Sequence, residues 1–178
     1  MAHLTAEQEK EILTHFFTEA RQVLHTYFEE RSLIFSNSQL FSFVLVSPIS
    51  MAIASDGTLD LSETTMLVDT AAYFDQLMPT AFDSLPQPEN ALSDKEFKKL
   101  VYGELRYITL NMQAYESQLL RVIKLLIEVD DKLSMDSSPV FSIRHRIKQM
   151  MMSVIYNNLN KDTVEEQKVL QILKDLGI

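Results

Sequence analysis

From Leu40 to Ala54 the chain reads LFSFVLVSPISMAIA, apolar on nearly every side at helical spacing. A helix with no polar face has to be covered all round, so the rest of the molecule must be arranged about this segment. At 178 residues the chain is long enough to supply that cover as a single domain, without disulfide or metal staples. Pro48 predicts a kink or an uneven turn within the run. The run is too short for a confident membrane span, and it is broken by Pro48 and by serines.

Only Gly57, Gly103 and Gly177 supply glycine, and no two lie close together. A dinucleotide-binding turn or a phosphate-binding loop needs clustered glycines after a strand, so both are excluded. A many-turned β-sandwich is also hard to build from so few permissive residues. An all-α fold follows.

Helical spacing then divides the chain. Thr5 and Gln8 form a capping box, and apolar residues from Ile12 to Phe28 recur at three- and four-residue steps, predicting one long helix to about residue 34. The central helix stops at Asp56-Gly57, and Asp60 with Glu63 opens the next, lined by Met66, Leu67, Ala71, Phe74 and Leu77. Residues 79–93 hold Pro79, Pro86 and Pro88 and form a loop between two halves, neither of which buries its helices alone. Ser93 and Glu96 cap a helix with a weak break between Thr109 and Tyr115. Leu119 to Ile127 read as a second helix apolar all round, Val140 to Val154 as an amphipathic one, and Asp162 with Glu165 caps a last helix ending at Gly177. The expectation is one domain, residues 1–178, of about seven helices. A faint repeat 74 residues apart sets Leu45, Ile49, Ile53, Asp56 and Leu59 against Leu119, Ile123, Ile127, Asp130 and Leu133.

Sixteen basic against 25 acidic residues leave a net charge of −9, which repels phosphate backbones and makes nucleic acid a poor partner. A cation, a basic protein patch or plain solubility suits the balance better. Without cysteine, thiol catalysis and thiolate metal sites are out. The acidic start MAHLTAEQEKEILTHFF lacks the basic head and apolar run of a signal peptide, so a cytoplasmic protein is expected.

The segment Ala52-Ile53-Ala54-Ser55-Asp56-Gly57-Thr58-Leu59-Asp60-Leu61-Ser62-Glu63 resembles the acidic turn of the TerB-like, tellurite-resistance family. Members carry an apolar helix and then A-x-A-D-G-x-(I/L)-x-x-x-E, often with a degenerate second turn. Here the second reads Glu128-Val129-Asp130-Asp131-Lys132-Leu133-Ser134-Met135-Asp136, with Asp131 where glycine would stand and Ser137 matching Glu63. The resemblance implies an all-helical fold and a divalent cation, Ca²⁺ or Mg²⁺, held by Asp56, Asp60 and Glu63 with Asp130, Asp131 and Asp136. It also implies a stress-response role with a protein partner at the cytoplasmic face of a membrane complex.

The residues themselves divide. Oxygen ligands suit hard cations, yet an EF-hand counted from Asp56 fails: Leu61 takes its glycine position and Leu67 its final glutamate. Asp60 and Glu63 are what any well-made helix start shows, so capping accounts for them ahead of ligation. Asp56, Asp130 and Asp131 sit at helix C-terminal ends, where the dipole disfavours negative charge, and leave ligation and plain helix exits both open. His3, His15, His25 and His145 include no i,i+4 pair, and neither a G-x-S-x-G elbow nor an E-x-x-H pair occurs, so no reaction is legible. Met150-Met151-Met152 favours core packing over a pliable binding surface. Two functions remain: a non-enzymatic protein using its acidic turns for cation-dependent interaction, or a metal-free scaffold acting through a helical protein-binding surface.

Overall fold

A computed structural model describes residues 3–54, 57–77, 80–133, 143–157 and 163–178. They are helical, with no strand among them: α1 (Ala6–Val23), α2 (His25–Arg31), α3 (Asn37–Ile53), α4 (Leu61–Ala72), α5 (Phe74–Leu77), a 3₁₀ turn (Thr80–Ser84), α6 (Asp94–Leu110), α7 (Met112–Leu133), α8 (Ile143–Asn157) and α9 (Thr163–Asp175). The all-α expectation holds. The first predicted helix divides at Leu24, which leaves helical geometry, and the third at Tyr73, where α4 ends, with no proline or glycine to announce either break.

α3 is the axis. Every residue from Asn37 to Ile53 is buried, and the helix is touched by α4, α6, α7, α8, α9 and the 3₁₀ turn. α1 lies along α7, α4 along α6, and α8 against α9. An aromatic cluster fills the interior, with Phe35 edge-on to both Phe43 and Phe97 and Tyr27 stacked on Phe43. α7 differs from expectation. Its Leu119, Val122, Ile123, Leu126 and Ile127 are buried, but Arg121, Lys124 and Glu128 are exposed, so it is amphipathic rather than apolar all round. Val140 and Asp162 lie outside the described residues.

Burying a whole helix means satisfying its polar groups internally. At its start Ser36 and Gln39 form a capping box. Asn37 N–H donates to Gln87 Oε1 at 2.9 Å, and Gln39 Nε2 donates to Leu92 O at 2.9 Å and Asp94 Oδ1 at 3.0 Å. The proline-rich connection therefore closes the N-terminal end of α3. Midway, Pro48 has no N–H for the carbonyl of Val44. The neighbouring Ser47 hydroxyl donates to that carbonyl instead, at 2.7 Å, and the helix continues through the proline.

Ser47 and Ser50 offer a controlled comparison, since both are 1% exposed and only Ser50 Oγ lacks a hydrogen-bond partner. Ser47→Ala should destabilise the fold by about 1–3 kcal/mol, leaving a buried carbonyl orphaned. Ser50→Ala should be neutral or stabilising. Urea unfolding of the two variants checks the contrast, and equal effects would refute it.

Candidate functional site

The first acidic turn is a helix start. Gly57, at φ +75°, follows the end of α3 and donates its N–H to the carbonyl of the C-cap residue Ala54 at 3.1 Å. Asp60 is extended, accepts from Glu63 N–H through Oδ1 at 2.8 Å, and donates its own N–H to Glu63 Oε2 at 2.8 Å. This reciprocal pair is the capping box expected from sequence. One atom is left over: Glu63 is 3% exposed, and its Oε1 is buried without a hydrogen-bond partner. Asp56 lies outside the described residues.

The second turn is an anchor for α8. Asp130 Oδ2 accepts from the N–H of Ile143, the first residue of α8, at 2.8 Å. Asp131 takes Arg144 in a two-point clasp, Nε at 3.0 Å and Nη2 at 2.7 Å, while Arg144 Nη1 donates to Gly177 O at 3.0 Å. One guanidinium thus ties the ends of α7 and the chain to the start of α8. The Arg144 partner holds the Asp131 carboxyl below its ordinary value. Acids at the unfavourable end of α7 are therefore answered by the positive N-terminus of α8 and by an arginine. Asp136 lies outside the described residues. Among the described residues no three metal-capable side chains converge, and the four candidate acids there are engaged by N–H donors. As a ligand set, they fit a cation poorly.

A polar network inside the bundle has no counterpart in the sequence expectations. Arg31 Nε and Nη2 donate to Glu104 at 3.0 and 2.8 Å, and Tyr27 Oη donates to the same carboxylate at 2.8 Å. The Arg31 guanidinium lies 4.0 Å over the Tyr107 ring, Tyr107 Oη meets Tyr115 Oη at 3.2 Å, and Tyr115 donates to Glu30. Both oxygens of Glu104 accept hydrogen bonds within the network, which joins α2, α6 and α7. A glutamate on the apolar face of α6, between Val101 and Ile108, is the signal that marks it.

A cleft of about 720 Å³ lies between the end of α3, the α6–α7 turn and α9, and carries the Lys168–Glu116 ion pair. A second, about 370 Å³, runs between α3, α4 and α8 and is more apolar, lined by Val46, Ile49, Met66, Asp69, Tyr73 and Met150. Met151 belongs to the core, whereas Met150 is half-buried at this cleft. The adjoining outer face of α4 exposes Leu61 (83%) and Val68 (47%), and Tyr73 (57%) stands exposed just past its C-terminal end. No described helix is long and apolar enough to cross a membrane.

No family model, curated protein or solved structure matches the chain. The likeness to TerB-like proteins stands on the acidic-turn residues alone.

Two pH dependences follow. Burial and Glu104 raise the Tyr27 hydroxyl above its ordinary value of 10.0, and burial with Glu30 raises that of Tyr115. The folded state thus keeps protons that the unfolded chain loses, so stability holds below about pH 10 and falls as pH rises beyond it. Alkaline unfolding of Tyr27→Phe should show a shallower fall. At the acid end, Arg144→Met should cost stability above the ordinary carboxylate range. Its difference from the parent chain should close as pH drops and Asp131 protonates. Amide exchange should localise the loss to α8 while α3 stays protected.

Proposed function

We propose that this chain is a non-enzymatic helical scaffold that holds a protein partner on the outer face of α4 and the adjoining α3–α4–α8 cleft, without a metal ion. One observation carries the reading. Leu61 and Val68 on α4 and Tyr73 just past its end stand exposed beside an apolar cleft, a concentration of apolar surface of the kind that marks interaction sites. Most other large apolar side chains among the described residues are inside. The cleft also offers half-buried Met66 and Met150, whose unbranched thioethers repack readily against a partner.

A photoreactive residue placed at Val68 should yield a discrete protein adduct in the source cell, unchanged by chelator. The same probe at Gln167, exposed on α9, should not. Absence of an adduct at Val68, or equal labelling from both positions, would remove the scaffold reading.

A second reading rests on Glu63 Oε1, a buried carboxylate oxygen without a partner. Bound at that oxygen, a Ca²⁺ or Mg²⁺ ion would give the acidic turn a cation-dependent role of the tellurite-resistance or stress-response type. Thermal unfolding separates the two. Under the scaffold reading, Ca²⁺, Mg²⁺, Mn²⁺ and EDTA leave Tm unchanged; under the cation reading, Ca²⁺ or Mg²⁺ raises it saturably and Asp60→Asn abolishes the rise.

A further inference from the structure

Between Arg31 and Lys95 the chain contains no lysine, arginine or histidine, yet it carries acids from Asp56 to Asp94. This base-free stretch holds α3, α4 and α5. α3 is buried throughout, so among these helices α4, of 12 residues, presents the stretch's largest helical surface. Along the outside of α4, Leu61, Thr65, Val68 and Ala72 follow at steps of four, three and four, and all are exposed. That is the stripe an apolar helix face would cover. Asp69 is exposed beside it and lines the cleft, and Asp60 opens the helix.

We infer that the occupant of this face is a basic amphipathic helix from a protein partner. The inference rests on the scaffold reading above and adds the partner's chemistry. Twelve residues of α4 extend about 18 Å, a length matched by three to four turns of a partner. Apolar residues of that helix would lie on Leu61, Val68 and Tyr73 and enter the cleft over Met66. Its lysines or arginines would meet Asp60 and Asp69, with no base on α4 to oppose them. The facing wall is not neutral: on α8, Arg146 is exposed one turn before Met150, on the same side of the helix. An acid at one end of the partner would pair there, so the cleft discriminates between the partner's two directions. Like charge argues against the other occupants. A second copy placed symmetrically would set acids against acids, and an anionic bilayer would be repelled by the same residues.

The test uses the full chain and three labelled peptides of about 16 residues, each about 24 Å as a helix. One has leucines at i, i+3, i+4 and i+7 with flanking lysines. The second replaces lysine by glutamate, and the third scrambles the first. Anisotropy should show the basic amphipath binding at least about tenfold tighter than either control, a gap of about 1.4 kcal/mol, and weakening as salt rises. Leu61→Lys with Val68→Lys, both at exposed positions, should lose that binding, while Gln167→Lys should not change it. Equal binding of the glutamate peptide or of the scramble, or indifference to the α4 variants, overturns the inference. So does a dimer in sedimentation velocity that Val68→Lys dissolves. If the Val68 adduct forms while the peptides are not distinguished, the scaffold reading survives and the partner's chemistry falls. If neither is seen, both fall.

Discussion

The complete burial of α3 governs the rest of the structure. An apolar helix of 17 residues gains from being covered, but each backbone group it takes out of water must find a partner inside. Two irregular features then acquire reasons. The connection after the 3₁₀ turn holds Asn37 and Gln39 by backbone and side-chain bonds, because the start of α3 is as dry as its middle. Ser47 precedes Pro48 because a proline inside a buried helix frees a carbonyl that only an internal donor can reach. The helices that touch α3 (α4, α6, α7, α8 and α9) are amphipathic to different degrees and close it from different sides, while α1 packs outside them along α7.

Charge is organised on the same principle. The structure answers its acids locally rather than pooling them. Asp60 caps α4, Asp130 caps α8 across a gap in sequence, and Asp131 is clasped by Arg144. Glu104 reaches the interior with Arg31 and Tyr27 beside it. Removing one member of such a buried pair leaves its partner uncompensated, typically a loss of about 3–5 kcal/mol. Arg31 keeps a third of its side chain in solvent, which softens that figure. The arrangement explains how an acidic chain tolerates carboxylates at helix C-termini without gathering them into one site.

What can be read from sequence depends on the reach of the interaction. Capping boxes span three residues, so Thr5 with Gln8, Asp60 with Glu63 and Ser93 with Glu96 are legible without the fold. The central position of α3 is legible too, because it needs only the absence of a polar face. The breaks at Leu24 and Tyr73 are not, since neither residue carries a local stop signal and packing sets the turn. The roles of Asp130 and Asp131 are hidden for the same reason. Their partners, Ile143 and Arg144, lie 13 residues away, and a helix dipole argument applied to α7 alone sees the repulsion without the answering helix. The acidic turn is thus a good guide to a helix boundary. Glu63 is where something more remains, because its Oε1 is unsatisfied in a site otherwise explained by capping.

On α4 the residues that serve the fold are separate from those left in solvent. Its inner residues, Glu63 and Leu67, are buried and serve the fold. Leu61, 83% exposed, contributes little by burial, and a polar residue there would leave the core untouched. Apolar side chains left in water at helical spacing, beside a cleft, gain nothing for the isolated chain, whereas covering each one gives roughly 1.5–3 kcal/mol when complete. The base-free stretch adds the complementary half of the argument. Where Asp131 and Glu104 meet arginines, Asp69 stands exposed on a helix with no base of its own. Apolar surface alone would accept many partners. Acids flanking that surface narrow them to ones that bring positive charge at the right spacing.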